Sequence, residues 1–181
     1  MITGGPSVGK TTIITLLRER GYTVITEQAT QIIKEGEVLP WVDRNAFQKE
    51  VLRRQLAVEA PHVNSNDPIF LDRGLFDGEA YYIADQLAIP PSFRTLPAAR
   101  YSMAFLIEEL PFFDNNGVRF EDLEFTRKIT PIIERCYSSR NIPVSRVPAL
   151  PPDERVDYVL NLVRECVITQ SALQHPVLMA R

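Results

Sequence analysis

The stretch Gly4-Gly5-Pro6-Ser7-Val8-Gly9-Lys10-Thr11-Thr12 fits the pattern G-x-x-x-x-G-K-[ST] in full. Few short sequences restrict a fold so tightly. The glycines permit a turn that brings backbone N–H groups close to a polyphosphate. A helix opening at about Gly9 adds its unpaired N–H groups and the positive end of its dipole. In this reading Gly5, Pro6, Ser7, Val8, Gly9, Lys10, Thr11 and Thr12 hold the phosphates. Lys10 reaches the β- and γ-phosphates, and the Thr11 hydroxyl sits on Mg²⁺. Apolar Met1-Ile2 before the loop and Ile13 to Leu17 after it supply the strand and helix that such a loop must join. The expected ligand is a nucleoside triphosphate, ATP, with GTP left open.

The 181 residues suit one domain, read here as a single P-loop nucleotide-binding domain over 1–181. A net charge of −3 gives no global basic field, so no nucleic-acid partner is expected. No apolar run approaches a membrane span, and no charged-then-apolar leader opens the chain, which points to the cytoplasm. Cys136 and Cys166 stand far apart, as do His62 and His175, which argues for reduced thiols and against zinc.

Along the chain, short β-branched runs alternate with helical patterns. Met1 to Thr3 is a first strand shorter than the ~5 residues usual for a central one. It is either clipped or begins inside the natural strand. Further strands are read at Tyr22 to Thr26, Ile69 to Leu71, Tyr101 to Ile107 and Pro143 to Val147. Helices are read after the loop, through Ile32 and Ile33, from about Arg44 to Ala60, from about Asp77, and along the stripe Phe125, Ile129, Ile132, Ile133 and Cys136. A last helix follows Pro151-Pro152. In the helix from Arg44, Phe47, Val51, Leu52 and Leu56 form the apolar face, opposite Lys49, Arg53 and Arg54. Such alternation makes a parallel sheet with helices on both faces, and ligands bind beyond the carboxyl ends of its strands.

Lys10, Glu27, Asp72 and Arg73 all fall at those ends. Asp72, after three apolar residues, suits a metal-contacting carboxylate or, alternatively, a cap for the next helix. Arg73 suits capture of phosphate or acceptor, or an ordinary ion pair. Glu27 stands where a carboxylate could take the proton of an attacking hydroxyl, or simply opens a helix. The base is Glu27 or Asp72. The segment from about 109 to 122 has the composition of a lid, with Asn115-Asn116-Gly117 at its turn. Arg119, and Arg127 about two helical turns further on, would close onto the transferring phosphoryl group. Trp41 and Phe112-Phe113 are read as packing on the core or, alternatively, as stacking on an acceptor ring, and Val147 to Leu150 as a rest for the base.

Together, the loop, Thr26-Glu27, Leu71-Asp72-Arg73-Gly74-Leu75-Phe76-Asp77 and Asn116-Gly117-Val118-Arg119 resemble the small AAA-type, kinase-like P-loop proteins. That group is similar to the kinase domain of bacterial nicotinamide riboside kinase/NAD regulators and to the animal TRP-channel translocation-defect protein. The resemblance runs from Met1 to about Val163. It implies a P-loop NTPase fold of nucleoside/nucleotide-kinase type, with Lys10 and Thr11 on phosphate and Mg²⁺. It also implies an acidic role for Asp72, an arginine role for Arg73 and a lid role for Arg119. The expected activity is Mg–ATP-dependent phosphoryl transfer to an unidentified small, hydroxyl-bearing, nucleoside-like acceptor. The rival is a regulatory module that hydrolyses nucleotide slowly. A Ras-like GTPase fits less well, since N-K-x-D is absent and Asp72-Arg73-Gly74 lacks D-x-x-G spacing. Oligomeric state is not encoded in any motif.

Overall fold

The computed structural model describes residues 1–109 and 120–174, with the side chains of 120–122 and 167–174 excepted. The elements run β1 (Ile2–Thr3), α1 (Lys10–Glu19), β2 (Thr23–Ile25), α2 (Gln28–Glu35), α3 (Arg44–Glu59), β3 (Ile69–Leu71), α4 (Leu75–Ala84), β4 (Ala104–Ile107), α5 (Phe120–Ser138), β5 (Val144–Val147) and α6 (Pro152–Gln174). Single 3₁₀ turns lie between α3 and β3 and before β4.

Every strand pair is parallel. β4 lies between β1 and β5, and β2 pairs with β3. The two ladders meet at β1, where Ile2 bridges Asp72 and the Arg73 N–H donates to the Ile2 carbonyl at 2.9 Å. The spatial order is therefore β2-β3-β1-β4-β5. The short first strand is flanked on both sides, and Ile2 is fully buried.

Strand alternation divides the core. Phe70, Phe105 and Ile107 face Ile13, Ile14 and Leu17 of α1 and Val156 and Val159 of α6. Leu71, Ala104 and Leu106 face Leu75, Phe76 and Ala80 of α4 and Ile129, Ile133 and Tyr137 of α5. Each large apolar side chain so buried contributes about 1.5–3 kcal/mol. The expected parallel sheet with helices on both faces is what forms.

Several local expectations shift. The β4 ladder begins only at Ala104, because 98–100 form a 3₁₀ turn. Helix α4 starts at Leu75 rather than Asp77: Asp77 occupies its third position and accepts the Gly74 N–H at 3.0 Å. Trp41 does not pack, being 70% exposed. The apolar periodicity of α3 is also misleading. Its fully buried positions are Phe47, Gln48, Gln55 and Glu59, while Leu52 and Leu56 are only partly covered. Residues 110–119, and with them Arg119, Phe112, Phe113 and the expected lid turn, lie outside the described residues.

Neither cysteine is in a disulfide; Cys136 is buried and Cys166 is partly covered. Burial, then the Glu79 carboxylate, pushes the Cys136 thiol up to about 12. At pH 8 a maleimide should therefore label Cys136 only on unfolding. Two fast equivalents on native protein would contradict the packing of α5.

Candidate functional site

The loop between β1 and α1 is built by backbone states that its sequence permits. Gly4 and Gly9 lie at φ 137° and 92°, and Ser7 at 60°. Gly5 is needed for a different reason. A Cβ there would stand 2.4 Å from Thr126 Cγ2, because α5 presses Thr126 onto the loop. The Thr126 hydroxyl donates to the Pro6 carbonyl at 3.0 Å. Lys10 folds back, its ammonium donating to the Gly5 carbonyl at 2.6 Å. Burial and the nearby Arg73 hold that ammonium down, to about 7, against the pull of Asp72 and Glu27. Thr11 and Thr12 are exposed on the first turn of α1.

Asp72, at the end of β3, is 3% exposed. Its Oδ2 accepts from the Thr11 hydroxyl at 3.3 Å, while Oδ1 is buried without a partner. A carboxylate oxygen left unpaired beside a threonine hydroxyl at a phosphate loop is the donor set for Mg²⁺, which binds through few protein oxygens and completes its shell with phosphate and water. Among the described residues no cluster of three or more His, Cys, Asp or Glu could hold a metal by itself. The Thr11–Asp72 pair fits a phosphate-borne Mg²⁺. Burial, then the charge of Glu27, raises the Asp72 carboxyl above its ordinary range, opposed by Lys10 and Arg73.

Of the two readings of Arg73, ligand capture or an ion pair, the structure shows the ion pair. Held at φ 69°, Arg73 donates from Nε to Glu27 Oε1 at 2.6 Å. Its Nη1 donates to the Gly4 carbonyl at 3.1 Å and to Asp77 Oδ1 at 3.2 Å. Its guanidinium also lies 5.3 Å from the centre of the Tyr81 ring. Arg73 thus ties the phosphate loop to Glu27. Glu27 caps α2 and accepts from the Thr30 hydroxyl at 2.7 Å. Burial alone would raise its carboxyl, but Arg73, Thr30 and Lys10 outweigh it and hold the group below the ordinary glutamate range.

Glu27 and Arg73 stand in the wall of a cavity of about 230 Å³ between α2, α3 and α4. Ile33, Phe47, Val51 and Tyr81 line it with apolar and aromatic surface; Gln28, Gln48 and Gln55 bring amides. A larger cavity, about 440 Å³, opens near Asn66 to Phe70 and Tyr101 to Met103, at the amino ends of the strands. It contains none of Lys10, Thr11, Glu27 or Asp72. Arg127 lies apart, 65% exposed, paired with Glu109 at 2.7 Å.

Lys10, Thr11, Glu27, Asp72 and Arg73, read separately from the sequence, are thus brought together. Five others were not assigned roles. Asp77 sits four residues after Arg73, a helical spacing that could have flagged it. Gln48, Gln55 and Glu59 recur at intervals of seven and four within α3, a buried polar stripe hidden behind the apolar one. Arg155 carried no sequence signal.

Residues 1–155 match a family described as an AAA domain. No curated protein sequence matches the chain. Among solved structures, deoxyadenosine kinase from M. mycoides with bound dATP superposes with TM-score 0.62 at 16% identity, over 90% of this chain and 97% of that one. Shikimate kinase from Aquifex aeolicus gives TM-score 0.55 at 16% identity, over 92% and 96%. Thymidylate kinase from Candida albicans gives 0.56 at 12%, over 91% and 89%. Likeness at these identities fixes the fold, that of the P-loop kinases.

Proposed function

We propose, from the premise that this chain belongs to the AAA-domain family, that it is a Mg–ATP-dependent phosphotransferase acting on a small, hydroxyl-bearing, nucleoside-like acceptor. The observation that carries this is the link Glu27–Arg73–Gly4. One hydrogen-bonded arginine joins the phosphate loop to an ionised carboxylate in the wall of a second, half-apolar cavity. A nucleotide switch needs no such adjoining cavity; a transferase needs both halves side by side.

The loop N–H groups and Lys10 would bind the β- and γ-phosphates, the ammonium leaving the Gly5 carbonyl for phosphate oxygen. Mg²⁺, held by Thr11 and Asp72, would neutralise charge on those phosphates. Glu27 would orient the acceptor hydroxyl and take its proton, while Arg73 fixes Glu27 and the loop at one spacing. Phe47 and Tyr81 would cover the faces of an acceptor ring, and the cavity amides its polar edge. Arg119 and Arg127 are proposed to act from the lid side on the transferring phosphoryl group. Among the described residues no helix is long and apolar enough to cross a membrane.

The test is ATP consumption with and without a panel of nucleosides, nucleotides and vitamins. One compound should raise turnover many-fold. Lys10→Ala should lower that rate by about 10²–10³-fold, the loss typical of one charge-stabilising donor. Slow hydrolysis that no acceptor stimulates would replace this reading with the regulatory module.

A further inference from the structure

We infer that Arg155, on the first turn of α6, is a positioning residue for the nucleotide, acting through the back of the phosphate loop. This rests on the nucleotide-binding half of the reading above and not on transfer.

Arg155 is 2% exposed. Its Nη1 donates to the Val8 carbonyl at 2.9 Å and its Nη2 to the Glu108 carbonyl at 3.2 Å, while Nε is buried without a partner. The other well-covered arginines each meet a carboxylate: Arg73 meets Glu27 and Asp77, Arg100 meets Glu59, and Arg140 meets Glu79. Among the described residues Arg155 bonds only to neutral oxygens, and the Glu108 carboxylate lies 3.8 Å from Arg146 instead. Burial accordingly pulls the Arg155 pKa below its ordinary value, with only the charge of Glu108 opposing. Tying α6 to the sheet does not require a buried charge with no carboxylate in contact, since a neutral donor would serve at less cost.

Two consequences follow from where this charge sits. In a trans peptide the carbonyl and the next N–H point in opposite directions. Arg155 holds the Val8 carbonyl inward, so the Gly9 N–H is turned outward to the concave side of the loop. Among the described residues no backbone acceptor takes that N–H. Nη1 also stands 3.7 Å from where a Cβ on Gly9 would be. The guanidinium therefore lies directly behind the cradle, where an arriving polyphosphate supplies the missing negative charge across one peptide layer. The second bond, to Glu108, anchors the same arginine to the exit of β4.

The experiment is equilibrium binding of ATP and of adenosine, without acceptor, to wild type, Arg155→Met and Arg155→Lys, each with its thermal melt. The methionine variant should bind ATP at least about tenfold more weakly, with adenosine affinity changed by less than about twofold. The lysine variant, keeping the charge but not the two-carbonyl grip, should fall between. An unchanged ATP affinity, or equal losses for ATP and adenosine, would overturn the inference, since a merely structural arginine would not separate the two ligands. Where Arg155→Met gives no cooperative melt, Arg155→Lys decides by the same comparison. A wild-type protein that binds ATP but transfers nothing sinks the phosphotransferase reading and leaves this one standing. Failure to bind ATP at all sinks both.

Discussion

Replacing Glu27 with glutamine is expected to lower phosphoryl transfer about 10²–10⁴-fold, the usual contribution of a positioned general base. ATP binding should change little, because the loop, Lys10 and the Thr11–Asp72 pair remain. Glutamine is nearly isosteric: its carbonyl oxygen can accept from Arg73 while its NH₂ donates to a rotated Thr30 hydroxyl, so the geometry is largely kept and the proton acceptor is lost. The pH profile separates the two candidate bases. Arg73 holds the Glu27 carboxyl below its ordinary 4.5, in spite of burial. Glu27 therefore stays ionised as pH falls from neutrality, and the acid limb of kcat/KM should lie below 4.5. Burial raises Asp72 instead, so an acid limb above the ordinary carboxylate range, surviving in Glu27→Gln, would make Asp72 the base. Unchanged turnover in the glutamine variant would remove Glu27 from the chemistry.

Asp77→Ala is expected to destabilise the fold by about 3–5 kcal/mol, the range for removing one partner from a buried charged pair. Asp77 is 2% exposed and gathers four donors. Oδ1 accepts from the Thr3 hydroxyl at 2.5 Å and from Arg73 at 3.2 Å. Oδ2 accepts from the Tyr137 hydroxyl at 2.7 Å and the Gly74 N–H at 3.0 Å. One carboxylate thus joins β1, the β3–α4 turn and α5. Asparagine cannot replace it, since either orientation of the amide sets an NH₂ against two donors. Asp77→Asn should therefore lose most of the same stability, whereas Tyr137→Phe, removing one donor, should cost only about 1–2 kcal/mol. Denaturant unfolding at constant m-value measures all three. A loss below about 1 kcal/mol in Asp77→Ala would show that Arg73 and Tyr137 find other partners. Arg73 loses one of its two carboxylate partners in this variant, so the stable fraction should also transfer phosphate more slowly.

What could be read in the chain follows the range of the interactions concerned. The phosphate loop is local: glycines, lysine and threonine at fixed offsets dictate a turn and a helix start, so the loop from Gly4 to Thr12 and the placement of Lys10 and Thr11 on it are legible in a line of text. The strands at Ile69 to Leu71 and Val144 to Val147, and the bounds of α3, are legible for the same reason. So is the placement of Glu27 and Asp72 at strand ends, because a parallel sheet puts all its carboxyl ends on one side. The direction in which Arg73 points was not. Its partners lie 46 residues back at Glu27 and 69 back at Gly4, and only the order β2-β3-β1 brings them within reach. The polar buried stripe of α3 was masked by an apolar stripe beside it, because a helix packed against α4 and a cavity buries a face that local hydrophobicity does not choose. Arg155 lay furthest from view: its grip on Val8 spans 147 residues, and nothing near it in sequence distinguishes it from a surface arginine. The sequence by itself determined the phosphate loop and the layered α/β scaffold, since both rest on backbone geometry over a few residues. The tertiary structure decided which charged groups line the cavity and which hold the others in place, since a buried charge takes its role from whatever the fold packs against it.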